Sequence, residues 1–178
     1  MSDTKERDLQ EIGRLAYESI VDMVNALECD FDRLAELRDE REVVAESEDF
    51  EPSHKAALLA AWDEENGEEL AALVAAAGEA ESREDAEQRI QEDPLSVEVR
   101  SGWVSAGSSM DAFKAEEFNI LLCTGGPAVR IMGELDQYGQ PDRAWLEVQD
   151  WGTPWTQYFQ ADQATLLTYA QQFYFGEG

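Results

Sequence analysis

Phe118–Leu135 reads FNILLCTGGPAVRIMGEL, and this stretch decides the fold. Two apolar runs rich in Ile, Leu, Val and Phe flank Gly125-Gly126-Pro127. Each run has strand length, and such side chains suit a pleated, half-buried surface. Gly-Gly-Pro between them is turn chemistry, because glycine tolerates the backbone angles of a reversal and proline pre-sets one of them. The stretch predicts a hairpin: an interior strand over Phe118–Thr124, then a second over Ala128–Leu135.

The same period extends outward on both sides. Upstream, Leu95, Val97 and Val99 alternate with Ser96, Glu98 and Arg100, a strand pattern that ends at Gly102-Trp103. Downstream, Tyr138-Gly139-Gln140-Pro141-Asp142 is a turn, and Ala144–Trp151 is a further strand. That strand places Trp145, Glu147, Gln149 and Trp151 on one face and Leu146, Val148 and Asp150 on the other. A short strand over Trp155–Phe159 follows Pro154. Asp162 then caps a last helix running through Phe173 and closed by Gly176. Leu121, Val129, Ile131, Leu146 and Val148 are the expected core beneath that helix.

Before residue 95 the period is helical. Residues 7–28 carry Leu9, Ile12, Ala16, Ile20, Met23, Val24 and Leu27 at three- and four-residue steps. Residues 30–46 read as a second helix, capped by Asp30, with Phe31, Leu34 and Leu37 as its buried stripe. Ser47 to His54 is a turn in which Pro52 and Ser53 end one helix and begin another. Asn66-Gly67 is a turn signal, so residues 54–77 divide into helices at 54–65 and 68–77, with Gly78 as the last cap. Ser82 and Asp85 resemble a capping box for a short helix that ends before Pro94. Helices segregated from strands mean α+β, with an acidic helical region over 1–94 and an antiparallel sheet of four to five strands plus a C-terminal helix over 95–178, together one compact unit. There is no β-α-β alternation to build a doubly wound nucleotide fold.

Charge is the second strong signal. The chain holds 40 Asp and Glu against 13 Lys and Arg, a net charge of -27 on 178 residues. Residues 1–94 contribute 29 acids and 9 bases, residues 95–178 only 11 and 4. Four of the five Trp lie after residue 100. Self-repulsion on this scale opposes compactness, and the resulting field repels nucleic acid and anionic membranes while attracting basic protein surfaces. No apolar run approaches the ~18 residues of a spanning helix, and MSDTKERDLQ lacks the apolar region of a signal peptide, so a soluble cytoplasmic protein is expected. The two cysteines, Cys29 and Cys123, have no metal-type spacing and are expected as free, packed thiols.

Constellations for chemistry are sparse. His54 is the only histidine, which excludes a multi-histidine metal site. Cys123 has no base near it in sequence. Gly125-Gly126 lacks the Lys and Ser/Thr of a P-loop, and the small-residue loop around Ser105–Ser109 lacks a nucleophile elbow. Glu134, Glu147 and Asp150 beside Trp145, Trp151 and Trp155 outline a sugar-cleft alternative: a small-ligand-binding protein or hydrolase on the sheet. An aromatic sheet face packed on helices accounts for the same residues.

The acidic helical surface carries more. Glu36, Asp39, Glu40, Glu42 and Glu46 lie along one predicted helix, and Glu48, Asp49 and Glu51 continue through the turn. Asp63, Glu64, Glu65, Glu68 and Glu69 form a second cluster. Carboxylates four residues apart on a helix stand about 6 Å apart along its axis. That is comparable to the spacing of phosphates along one strand, which advances about 3.4 Å per base step while winding around the duplex. Local Arg pairs, halophilic adaptation and simple solubility compete with this reading. Halophilic adaptation predicts acid spread over every surface, whereas here it is concentrated.

The segments LSVEVRSGW (95–103), NILLCTGGPAVRIMGELD (119–136), AWLEVQDWGTPWTQY (144–158) and LLTYAQQFYFGEG (166–178) resemble a family of small acidic uncharacterised proteins carried on bacterial plasmids, integrative elements and phages. In charge and size the chain is also similar to anti-restriction and anti-CRISPR DNA mimics, which such elements carry. The resemblance implies no catalytic residues. The expected function is a non-enzymatic inhibitor, without cofactor or metal, acting in the cytoplasm of a bacterial host. Its expected partner is a basic nucleic-acid-binding protein or complex of that host, not nucleic acid itself and not a membrane. A homodimer, or an oligomeric structural role in the element, is left open.

Overall fold

A computed structural model describes residues 2–47 and 50–176, with side chains other than those of 2–8 and 111. The order of elements is α1 (Ser2–Glu28), α2 (Phe31–Glu46), α3 (Pro52–Ala77), α4 (Arg83–Glu92), β1 (Ser96–Ser101), β2 (Ala115–Cys123), β3 (Ala128–Leu135), β4 (Pro141–Gln149), β5 (Thr156–Tyr158) and α5 (Gln163–Ala170), with one 3-10 turn at Met110–Ala112. The fold is α+β. The chain forms two compact units, one of residues 1–24 with 87–178 and the other of residues 25–86.

In the first unit the five strands form one antiparallel meander in the order β1-β2-β3-β4-β5. Register sets its faces. Phe118 opposes Gly133, Ile120 opposes Ile131, Ile131 opposes Leu146, and Leu146 opposes Tyr158. With Val129 and Val148 these side chains are almost fully buried. Each such burial contributes about 1.5–3 kcal/mol. Leu121 is not among them: it opposes Arg130 on the other face. Strand faces alternate with period two, so Ile120 at the Ile131 register excludes its neighbour from the core. Gly133 is required here, since a Cβ would enter the Phe118 ring and the Arg143 carbonyl.

Leu166, Tyr169 and Ala170 form the buried face of α5, which packs on β4. Asp162 caps this helix by accepting from the Thr165 amide at 3.0 Å. The helix ends at Ala170, earlier than the expected Phe173, and turns close the chain before Phe175 stacks on Phe118 at 4.8 Å. Tyr169 donates its hydroxyl to Asp93 at 2.6 Å. Burial pushes the Tyr169 phenol up, and the Asp93 carboxylate adds to the shift. Gly13 of α1 lies against the Tyr158 ring, where any side chain would collide.

In the second unit α2 and α3 run antiparallel. Asp30 caps α2 by accepting from the Arg33 amide at 2.9 Å, and Leu34 and Leu37 are its buried pair. Pro52 starts α3, where a missing N–H costs nothing, and Gly78 ends it at φ +57°. The helix is continuous through Asn66-Gly67, so the expected division into 54–65 and 68–77 is corrected. Asn66 donates its side-chain amide to the Trp62 carbonyl at 3.2 Å, four residues back. A turn at this dipeptide needs flanking segments that leave the helix. The Ala-, Leu- and Glu-rich flanks instead favour it, and a single Gly costs only about 1 kcal/mol. Ser82 accepts from the Asp85 amide at 3.1 Å and Asp85 from the Glu81 amide at 3.1 Å, a reciprocal cap at the start of α4.

Candidate functional site

Of the acids of residues 25–86, 11 lie on α2 and α3. This unit holds 20 acids and 5 bases in 62 residues, while the rest of the chain holds as many acids and 8 bases in 116. On α2, Leu34 and Leu37 define the inner face. Helical spacing then turns Glu36, Asp39, Glu42 and Glu46 outward in one stripe, with Glu40 on its flank, and all five are exposed. On α3 the less exposed stripe is Leu59, Trp62, Asn66, Leu70 and Leu73. Glu64, Glu65 and Glu68 point away from that stripe and are exposed.

Asp63 and Glu69 flank the α3 stripe and meet arginines of α2. Arg41 donates to Asp63 at 2.8 Å and Arg33 to Glu69 at 3.0 Å. Arg33 also reaches Glu36 at 3.4 Å. The arginine hydrogen bonds hold the Asp63 and Glu69 carboxyls below the usual carboxylate range. These three acids therefore serve partly as ties within the hairpin. Asp39, Glu40, Glu42, Glu46, Glu51, Glu64, Glu65 and Glu68 have no carboxylate hydrogen bond or ion pair among the described residues. Glu51 stands at the N-cap of α3 and offers its carbonyl, not its side chain, to the helix. Glu48 and Asp49 lie outside the described residues. Sequence reasoning missed Asp32 on α2 and Glu81 and Glu84 beyond α3, which are also exposed in this unit; for the last two the acidic run after Gly78 was the available signal.

The sheet alternative has different geometry. Glu147 accepts from the Arg130 guanidinium at 2.8 Å and from the Trp145 indole at 3.0 Å. Arg130 in turn lies 4.1 Å over the Trp155 ring. Glu134 is tied to Arg143 at 3.0 Å. Trp103 and Trp151 are exposed, with Trp103 at 105%. A hollow of about 510 Å³ lies beside Trp103, lined by Arg100, Ser101, Gly102, Glu116 and Glu117, and within it Arg100 pairs with Glu117.

His54 is exposed, with its ring 5.3 Å from Phe50. Cys29 is half-buried, and burial pushes its thiol up. Cys123 is exposed, contrary to the packed thiol expected, because it sits at the last position of β2 beside the Gly-Gly-Pro turn. Among the described residues no three His, Cys, Asp or Glu converge on a metal-sized point, and no helix is long and apolar enough to cross a membrane. No family model, curated protein or solved structure matches the chain.

Proposed function

We propose that the chain is a non-enzymatic inhibitor carried by a mobile element, active in the cytoplasm of a bacterial host. It occupies the nucleic-acid-binding groove of a defence complex of the CRISPR-Cas or restriction type. The α2–α3 carboxylates stand where phosphates would bind. The supporting observation is the stripe of Asp39, Glu42 and Glu46 together with Glu64, Glu65 and Glu68: exposed, on helices, and without an ion pair among the described residues. A solvated surface needs no such excess, and two helices hold it at fixed spacing. Arginine ties confined to the flanks of the hairpin leave the outer faces anionic.

The test reverses Asp39, Glu42 and Glu46 to Lys. Each position is exposed, so the fold should change by no more than about 0.5 kcal/mol per site. Capture of a nucleic-acid-binding complex from host lysate should be lost, while the thermal melt stays normal. Wild-type capture should fall steeply with salt and be displaced by DNA or RNA. Capture that ignores salt, or that persists with nucleic acid still in the groove, sinks the reading.

A further inference from the structure

The sheet has two edges of different character. β5 is three residues long and follows Pro154. β1 is six residues long and is paired on one side alone, with β2. Natural sheets usually blunt an edge of this length, because its outward N–H and C=O groups are a template for another strand. The Leu95 amide is spent on the Leu121 carbonyl, 2.7 Å away. By alternation, the backbone groups of Ser96, Glu98 and Arg100 face outward.

The side chains of this edge are also unfinished. Val97 opposes the buried Ile120, and Val99 the buried Phe118, so both lie on the core face of the sheet. Yet they are 38% and 51% exposed, and Leu95 is 61% exposed.

We infer that β1 pairs antiparallel with β1 of a second copy, joining two sheets into one through a two-fold axis at Val99. A two-fold perpendicular to the sheet keeps each face on its own side, so only residues of like parity can oppose. Two registers use most of the strand. Centring on Glu98 sets the two Glu98 carboxylates against each other, which is repulsive in a chain already at -27. Centring on Val99 sets Glu98 against the partner's Arg100, twice by symmetry. It also sets Val99 against its own copy and Val97 against the partner's Ser101. Continued two residues, it brings exposed Leu95 opposite the exposed Trp103 of the other copy. Charge complementarity and apolar pairing therefore select the same register. Arg100 and Glu98 now lean on Glu117 and Asn119 of β2 and remain exposed on β1. They can turn toward the partner without breaking into the core.

The experiment is sedimentation equilibrium of the whole chain at about 0.5 M salt, where the net repulsion between copies is screened to within a few Å. The wild type should sediment at twice the chain mass. Glu98→Arg alone and Arg100→Glu alone each set like charges opposite at two symmetric places, and each should weaken the dimer by about tenfold or more. The double swap, Glu98→Arg with Arg100→Glu, restores opposite charges and should restore the dimer. Val99→Lys places two ammonium groups on the axis and should leave a monomer. Circular dichroism melts identify any variant that fails to fold, and the double swap carries the register test independently of them. A monomeric wild type overturns the inference, as does a dimer indifferent to both single reversals. A double swap that folds but stays monomeric overturns the register.

Discussion

The hairpin of α2 and α3 and the five-stranded sheet use arginine differently. On the sheet, Arg100, Arg130 and Arg143 each stand directly opposite a glutamate in register: Glu117, Glu147 and Glu134. The sheet settles its charge strand against strand and puts Phe118, Ile120, Ile131, Leu146 and Tyr169 beneath it. On the hairpin, Arg33 and Arg41 bind the two helices at their flanks and leave the outer carboxylates alone. Its buried positions are few and small, Leu34, Leu37 and Ala77 among them. The sheet is organised around buried side chains, and the hairpin leaves its outer carboxylates exposed. A field of this strength is affordable on a helical pair because adjacent turns hold the charges apart without needing a counter-strand.

The largest effect should come from attacking the burial of the sheet. Val129→Asp places an unpaired carboxylate where the side chain is 2% exposed. Such a charge costs several kcal/mol, so the sheet unit should fail to fold, as read by loss of near-ultraviolet dichroism. An unchanged melt would mean this face is open and the contrast between the regions is false.

A smaller, opposite effect is expected on α3. Gly67 is helical, and a Cβ there meets only the Asp63 Cβ at 3.9 Å, an ordinary contact. Gly67→Ala should stabilise the hairpin by about 1 kcal/mol, measured by urea unfolding. Destabilisation would imply that the helix breaks at Asn66-Gly67 in solution.

The smallest effect concerns the arginine ties. Asp63 and Glu69 have depressed folded values, so their contribution is present above the unfolded carboxylate range and is lost as pH falls through the folded values. Arg33→Ala with Arg41→Ala should therefore lower the melting temperature slightly at pH 7. The gap from wild type should close below about pH 4. Both pairs are surface-exposed, so solvent screening keeps the gap small. A gap that persists at low pH would assign these arginines a packing role.

Much of this was legible in the residues. Gly125-Gly126-Pro127 announced the β2–β3 reversal, and β3 runs over Ala128–Leu135 as its pattern implied. The caps at Asp30, Gly78, Ser82 and Asp162 stand where their chemistry places them. What failed has physical reasons. In Phe118–Leu122 four of five residues are apolar, so alternation alone cannot say whether Ile120 or Leu121 faces inward; the partner strand decides. Leu95, Val97 and Val99 marked a strand by period, but period cannot show that β1 lies at the edge. Asn66-Gly67 carried a local turn signal that a 26-residue helix overrode. The ties from Arg33 to Glu69 and Arg41 to Asp63 span 36 and 22 positions, beyond any helical repeat. The acidic clusters were visible as composition, but which carboxylates the hairpin keeps for itself depends on those distant partners.

Exposed Cys123 and half-buried Cys29 also make the molecule selectively addressable. A thiol-directed dye should attach first at the end of β2, on the sheet unit, and leave the acidic helices chemically untouched. A fluorophore there would report on tumbling and on the proximity of a second copy without altering any carboxylate on α2 or α3.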